Sequence, residues 1–244
     1  MFIKEGIAVD SENKDALFKL LRFESRNGKP KEFKSLEDYI GAMQPGQEKI
    51  YFLVNPNFDV AIKSPFLEPF RGSKIDVLIL SNNVDEILFQ QNGDFKGKRF
   101  INVESSYDEI SKDLGKGVED EVIARGKIPE EDITPFCLWV KNELSGLIGK
   151  VQVSRRLKDT PAIMSGQMSS SMRLMMQMME QSGQNIQNQN LDHIAQEQTL
   201  ELNTSHPIIV NLNGLRKKNK VVASLVCRQL LDNVMVASGI PYNV

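Results

Sequence analysis

Histidine, cysteine and tryptophan are scarce: two, two and one in 244 residues. With only His193 and His206 present, a histidine-rich metal site is excluded. A Ser-His-Asp triad would have to use one of them, and neither lies near a G-x-S-x-G elbow. Cys137 and Cys227 lie far apart and match no metal-ligand or redox spacing. Each falls in an apolar helical pattern, where a buried reduced thiol is expected. Long apolar runs are missing too. YFLV (51–54) and VLIL (77–80) are far too short to span a bilayer, and MFIKEGIAVDSENKD lacks the apolar stretch of a signal peptide. A net charge of −2 gives no electrostatic argument for nucleic acid or an anionic membrane, so neither is an expected partner. No glycine-rich loop follows any strand-like run, which leaves nucleotide binding without local support.

What remains is an ordinary globular composition, 41% hydrophobic and 25% charged, long enough for one or two domains with real cores. The first 45 residues look helical. KDALFKLLRFES places Leu17, Leu20, Leu21 and Phe23 on one broad apolar face. SLEDYIGAM has Ser35 and Asp38 at capping-box spacing, and QPGQ (44–47) punctuates its end. Three short apolar runs then follow, KIYFLV (49–54), IDVLIL (75–80) and RFINV (99–103). Polar-interrupted stretches of helix or helix-plus-loop character separate them, which predicts a small parallel or mixed sheet covered by helices.

Residues 104–131 are charged, poor in aromatics and broken by glycines, so they read as a partly helical connector. Glu119, Asp120 and Glu121 belong to that solvated linker rather than to a site. Beyond it come a helix around Trp139, strands at KVQVSRR (150–156) and PAIMSG (161–166), and a further strand at TLELN (199–203). A short helix opens with Pro207 in its first turn, and a long one from Lys220 stops at Gly239. This less regular interleaving suggests α+β. Lys217, Lys218 and Lys220 read as a solvated helix entrance. The Gln/Asn-rich stretch 182–198 reads as a flexible insertion loop.

Two stretches stand out. MSSSMRLMMQMM (168–179) holds six of the chain's ten methionines. At about 100° per residue, Met168, Met172, Met175, Met176 and Met179 share an arc of roughly 100°. Three flexible torsions and a polarizable sulfur suit methionine to a surface that accepts varied apolar partners. Core packing explains the pattern equally well. The second stretch is the last helix, whose Val221, Val222, Leu225, Val226, Leu230, Leu231, Val234 and Met235 cover much of its circumference. Such a helix is buried on nearly all sides, as a subunit interface or as the centre of its own domain.

Taken together, LLRFES (20–25), SLEDYIGAMQPGQEKIYFL (35–53), SPFLE (64–68), DEILFQQ (85–91), VSRRLKDTPAIMS (153–165), LELNTSHPI (200–208) and LLDNVMVASG (230–239) resemble the heat-shock protein 90 chaperone family. They occur in family order and cover essentially the whole chain. The resemblance implies an α+β protein overall in three parts. These are a helical end of the middle domain (1–45), a small α/β lobe of that domain with a charged connector (46–127), and a C-terminal dimerisation and client-binding domain (128–244). It implies a parent chaperone driven by ATP and Mg²⁺ whose ATPase domain is not among these residues, so this chain alone is expected to hold no cofactor and to be no enzyme.

The family's client-contacting helix in the C-terminal domain matches the methionine stretch, which assigns Met168, Met172, Met175, Met176 and Met179 to client binding. A second family patch on the small lobe matches Glu86, Ile87 and Gln90, with Ile87 standing where some bacterial members carry a tryptophan anchor. Val222, Leu225, Val226, Leu230 and Val234 match the dimer interface. Family members usually continue into one more helix beyond the ASG-like turn, so a weakened homodimer is the expectation here. LLRFES and RLKDTPAIMS look most like the mitochondrial and bacterial branches, which points to the mitochondrial matrix first and a bacterial-type cytoplasm second. The expected function is therefore the client-gripping part of a chaperone acting on partly folded proteins. The alternative is a structural dimerisation module with no client grip of its own. An enzyme built on the α/β lobe finds no acid-base pair or phosphate loop to support it.

Overall fold

The computed structural model describes residues 4, 7, 13–104, 107–114, 127–166 and 198–238. Two compact units divide the chain, Met1–Gly115 and Lys116–Val244.

The first unit is set by its helix signals and one central strand. Helix α1 (Lys14–Leu20) leads to the short strand β1 (Glu24–Ser25). Helix α2 (Leu36–Gly41) starts where the sequence predicts: the Ser35 hydroxyl accepts from the Asp38 amide and the Asp38 carboxylate accepts from the Ser35 amide, a full capping box. Strand β2 (Lys49–Val54) is buried from Ile50 onward. A continuous apolar run of this kind is what a strand covered on both faces requires. After it come α3 (Phe58–Ala61), a 3₁₀ segment (Pro65–Phe70), β3 (Leu78–Leu80) and α4 (Asn83–Asn92). The unit closes with β4 (Asp94–Phe95), β5 (Lys98–Asn102) and α5 (Tyr107–Leu114).

The sheet order is β1-β3-β2-β5-β4. β2 runs parallel to both neighbours, with Phe52 opposite Leu78 on one side and Asn102 on the other. β1 and β4 pair antiparallel at the edges. One face buries an aromatic cluster. Phe89 stacks on Phe100 at 3.9 Å between ring centroids and meets Phe23 and Phe52 edge-on, each at 5.2 Å. Such pairs each add about 0.5–1.5 kcal/mol beyond their area burial. The other face holds Tyr51 against Phe70. The Tyr51 hydroxyl donates to Asp113 Oδ2 at 2.5 Å, which ties α5 to the central strand.

In the second unit, α6 (Glu130–Glu143) precedes β6 (Lys150–Val153), β7 (Ala162–Ser165) and β8 (Thr199–Leu202). Two helices end it, α7 (Pro207–Lys218) and α8 (Lys220–Ala237). β8 is central, parallel to β6 and antiparallel to β7. Phe136 and Val140 of α6, Leu144 at its C-cap, Leu200 and Leu202 of β8, Leu212 of α7, and Cys227 and Leu231 of α8 form one core. An ion pair is sunk in the same sheet. The Arg156 guanidinium grips Glu201 with Nε at 3.1 Å from Oε2 and Nη2 at 2.5 Å from Oε1. Ser165 and Ser154 hydroxyls donate to the same carboxylate at 2.7 and 3.0 Å. One side chain on the central strand thus fastens β7 and the loop after β6.

The α+β class and the mixed sheet are as the sequence predicts; several local expectations are not. The helix of KDALFKLLRFES stops at Leu20, which is 53% exposed, and Phe23 instead bridges Lys34 beside β1. IDVLIL forms a strand only over its last three residues. Strand β4 has no counterpart among the expected elements. Lys96 and Gly97 both take positive φ, 51° and 75°, the two-residue turn whose twist matches a hairpin.

Candidate functional site

Two outward-facing surfaces among the described residues carry sequence-assigned positions. Helix α4 is fixed at its start by Asn82, whose side chain accepts from the Val84 amide at 3.1 Å. At its end Gly93, φ +71°, donates its amide to the Phe89 carbonyl. Leu88 and Phe89 are buried and pin its inner side to the aromatic core. Ile87, 43% exposed, and Gln90 face outward. Glu86, read from the sequence alongside them, is fully buried. Its Oε1 accepts from Asn102 Nδ2 at 3.2 Å and from Gln90 Nε2 at 3.4 Å, so it holds Gln90 from beneath. Next to it the buried Asp85 carboxylate receives Lys4 Nζ at 2.7 Å. Burial pushes that carboxyl above the usual aspartate range, with the lysine pulling the other way.

The second surface belongs to α8. Its N-cap is Asn219, accepting from the Val222 amide at 3.2 Å. Ala223, Cys227, Leu230, Leu231 and Val234 point inward, at the i, i+4, i+7, i+8 spacing of a single helix face. Leu230 and Val234, read from the sequence as interface, therefore lie in the unit's own core, at 6% and 5% exposure. Val226 is half-buried against the same core. Val222 and Leu225 face solvent, and so do Val221 at 73% and Val236 at 76% exposure. Val221, Leu225 and Val236 sit within about 60° of one another around the helix axis at about 100° per residue. That spacing is present in the sequence, yet the expected interface omits Val221 and Val236 because an all-round apolar helix hides which face is which.

The cysteines behave as small apolar groups. Burial pushes the Cys227 thiol up to about 12, and burial raises Cys137 as well. Among the described residues no three His, Cys, Asp or Glu side chains converge as metal ligands, and no helix is long and apolar enough to cross a membrane. The methionine positions Met168, Met172, Met175, Met176 and Met179 lie outside the described residues.

Comparison with known proteins agrees along the whole length. A match to the family described as Hsp90 protein covers residues 1–243. The chain is 35% identical over 242 residues to the mitochondrial TNF receptor-associated protein 1 homolog of Dictyostelium discoideum, an alignment covering 98% of this chain and 32% of that protein. It is 33% identical over 241 residues to chaperone protein HtpG of Desulfitobacterium hafniense, covering 98% of this chain and 37% of that one. It is 32% identical over 241 residues to the chloroplastic heat shock protein 90-5 of Arabidopsis thaliana, with 98% and 30% covered. The chain thus spans about a third of the length of these relatives.

Proposed function

The chain belongs to the Hsp90 protein family, and from that premise we propose that it is the client-gripping and dimerising portion of an ATP-driven molecular chaperone. The relatives' names, chaperone protein and heat shock protein, support the activity. The single observation that carries the grip is the crowding of six of ten methionines into residues 168–179. Their spacing gathers five of them on one helical arc, and unbranched thioether side chains conform to apolar surfaces of many shapes. Ile87 and Gln90 of α4 provide a smaller second contact, with Glu86 beneath them.

In this reading residues 1–45 are the helical end of a middle domain, 46–127 its small lobe and connector, and 128–244 the C-terminal domain. The outward row Val221, Val222, Leu225 and Val236 is the part of the dimer interface that α8 supplies. ATP and Mg²⁺ belong to the rest of the parent protein. The strands Lys49–Val54 and Leu78–Leu80 lead into turns built on Asn55, Asn57 and Asn82 rather than into a glycine-rich loop, so these two turns offer no phosphate cradle. The mitochondrial and bacterial names among the relatives support a mitochondrial matrix or bacterial-type cytoplasmic setting.

A titration of a fluorescently labelled, permanently unfolded client without nucleotide tests the grip. Binding that weakens at least tenfold in the Met172→Ser/Met176→Ser variant, about 1.4 kcal/mol or more, supports it. Equal binding by both proteins, or none by either, leaves a scaffold module in its place. Sedimentation tests the interface separately: the wild type associates with rising concentration, and Leu225→Asp shifts it toward monomer. A wild type that stays monomeric throughout removes the α8 interface.

A further inference from the structure

Three asparagine–glycine pairs occur in the sequence, Asn27–Gly28, Asn92–Gly93 and Asn213–Gly214. Such pairs share one chemical liability. The glycine amide nitrogen, unhindered by a side chain on its own residue, can attack the carbonyl carbon of the asparagine amide group. A new C–N bond closes a succinimide, the asparagine's own amide C–N bond breaks, and ammonia leaves with the proton that the glycine nitrogen gives up. Water then opens the ring at one carbonyl or the other, which leaves aspartate or isoaspartate in place of asparagine. No oxidant or partner is needed.

The fold separates the three pairs sharply. Asn213 is 5% exposed in the middle of α7. Both ends of its amide are held: Nδ2 donates to Asp132 Oδ2 at 3.4 Å, and Oδ1 accepts from Arg216 Nε at 2.8 Å. Asn92 closes α4, with Nδ2 tied to the Leu88 carbonyl at 2.6 Å and the Gly93 amide tied to Phe89 at 3.0 Å. Attack at either place requires a helix to unwind. Asn27 stands apart. It is exposed in the turn after β1, and its side-chain amide has no partner among the described residues. The Gly28 amide donates to the Ser25 carbonyl at 3.0 Å, a single turn bond that a local fluctuation can open.

We propose that Asn27–Gly28 is a site of spontaneous deamidation in the folded protein, its side-chain amide exposed and its glycine amide held by a single turn bond, while the other two pairs are shielded by their helices. The place gives the change a consequence. The Asn27 backbone amide donates to Asp76 Oδ1 at 3.0 Å, and Asp76 Oδ2 receives Lys34 Nζ at 3.0 Å. A new carboxylate at position 27 stands close to this existing one. Isoaspartate goes further, since it routes the main chain through one extra carbon and draws the amide away from Asp76. The preceding residue, Arg26, clamps the carbonyls of Phe70, Ser73 and Ile75 at 2.8, 3.1 and 3.1 Å, so the same change works against the joint that carries the chain into β3.

The test incubates the whole folded chain at mildly alkaline pH, with a urea-unfolded sample in parallel, followed by peptide mapping with isoaspartate detection. The expected result is NH₂-to-OH mass gain in the Asn27 peptide of the folded protein, with aspartate and isoaspartate forms resolved. The Asn92 and Asn213 peptides change only in the unfolded sample. Gly28→Ala should slow the Asn27 reaction by roughly tenfold or more by crowding the attacking nitrogen; the added carbon would sit 3.3 Å from Ser25 Oγ, a contact that hydroxyl can relieve. Modification of Asn92 or Asn213 in the folded protein as fast as Asn27 overturns the proposal. So does an Asn27 that stays intact when folded yet reacts when unfolded.

Discussion

Replacing Arg156 by Met probes the buried ion pair of the second unit. The two side chains are 3% and 6% exposed, and Glu201 sits on the central strand β8 with four donated contacts from Arg156, Ser154 and Ser165. Methionine fills much of the arginine's volume and takes away the charge. The carboxylate keeps its two hydroxyl donors and loses its cation. Removing one member of a buried pair typically costs about 3–5 kcal/mol, because the remaining charge stays desolvated and uncompensated. At 6% exposure solvent does not rescue it, so the full range applies at neutral pH.

The pH dependence carries a sign that simple loss of packing would not. In the wild type, burial pulls the Glu201 carboxyl upward, but the Arg156 guanidinium and the two serine hydroxyls outweigh it, so its pKa falls below the ordinary 4.5. Its stabilisation is therefore present above about that value and lost as pH falls through the lower folded value. Without Arg156, burial dominates and the folded pKa rises above the unfolded one. The penalty is then greatest at neutral pH and shrinks as acid protonates the carboxylate. Urea unfolding at neutral and mildly acidic pH measures both limbs. Trp139, half-buried against the core of this unit, is the fluorescence reporter, and as the chain's single tryptophan it follows this unit alone. A loss under about 1 kcal/mol at neutral pH, or a loss that does not shrink in acid, would refute the reasoning.

Other contacts of the two cores give way in equally measurable steps. Tyr51→Phe removes the 2.5 Å hydrogen bond to Asp113 and should cost about 1.5–3 kcal/mol, with faster amide exchange in α5; unchanged protection of α5 would contradict the anchoring role. Phe89→Ala empties the centre of the aromatic cluster, where Phe89 is 1% exposed, and should lower stability of the first unit by about 3–5 kcal/mol, measured by urea unfolding followed through circular dichroism. Cys227, with its thiol pushed up to about 12 by burial, should resist alkylation at mildly alkaline pH until the chain is unfolded, and mass spectrometry of a timed reaction would show otherwise if the core were open.

Much of the fold was legible where one residue type forces one local geometry. Ser35 with Asp38 and Pro207 at the first turn of α7 each placed a helix start correctly, and the short apolar run KIYFLV, read as a strand by its length, is one. Periodicity failed where elements are too short to show it. β1 and β4 have two residues each, and their signal lies in pairing partners rather than in their own pattern. The β4–β5 hairpin was hidden because Lys96, a residue that rarely takes positive φ, does so here. Of the three positions assigned to the small-lobe patch, Ile87 and Gln90 stand at the surface. Glu86 does not, because Asn102 from β5 satisfies it from below, a contact no local pattern encodes. For α8, the inward set from Ala223 to Val234 follows helical spacing, but valines and leucines on both faces made the outward row invisible to composition.

The most direct test of the client grip is aggregation of a heat-unfolded model protein in the presence of this protein and the absence of ATP, run with the wild type and with Met172→Ser/Met176→Ser. The wild type is expected to slow aggregation, and the double variant to lose that effect while keeping the wild-type unfolding transition. Equal suppression by both, or suppression by neither, would contradict a methionine-borne grip.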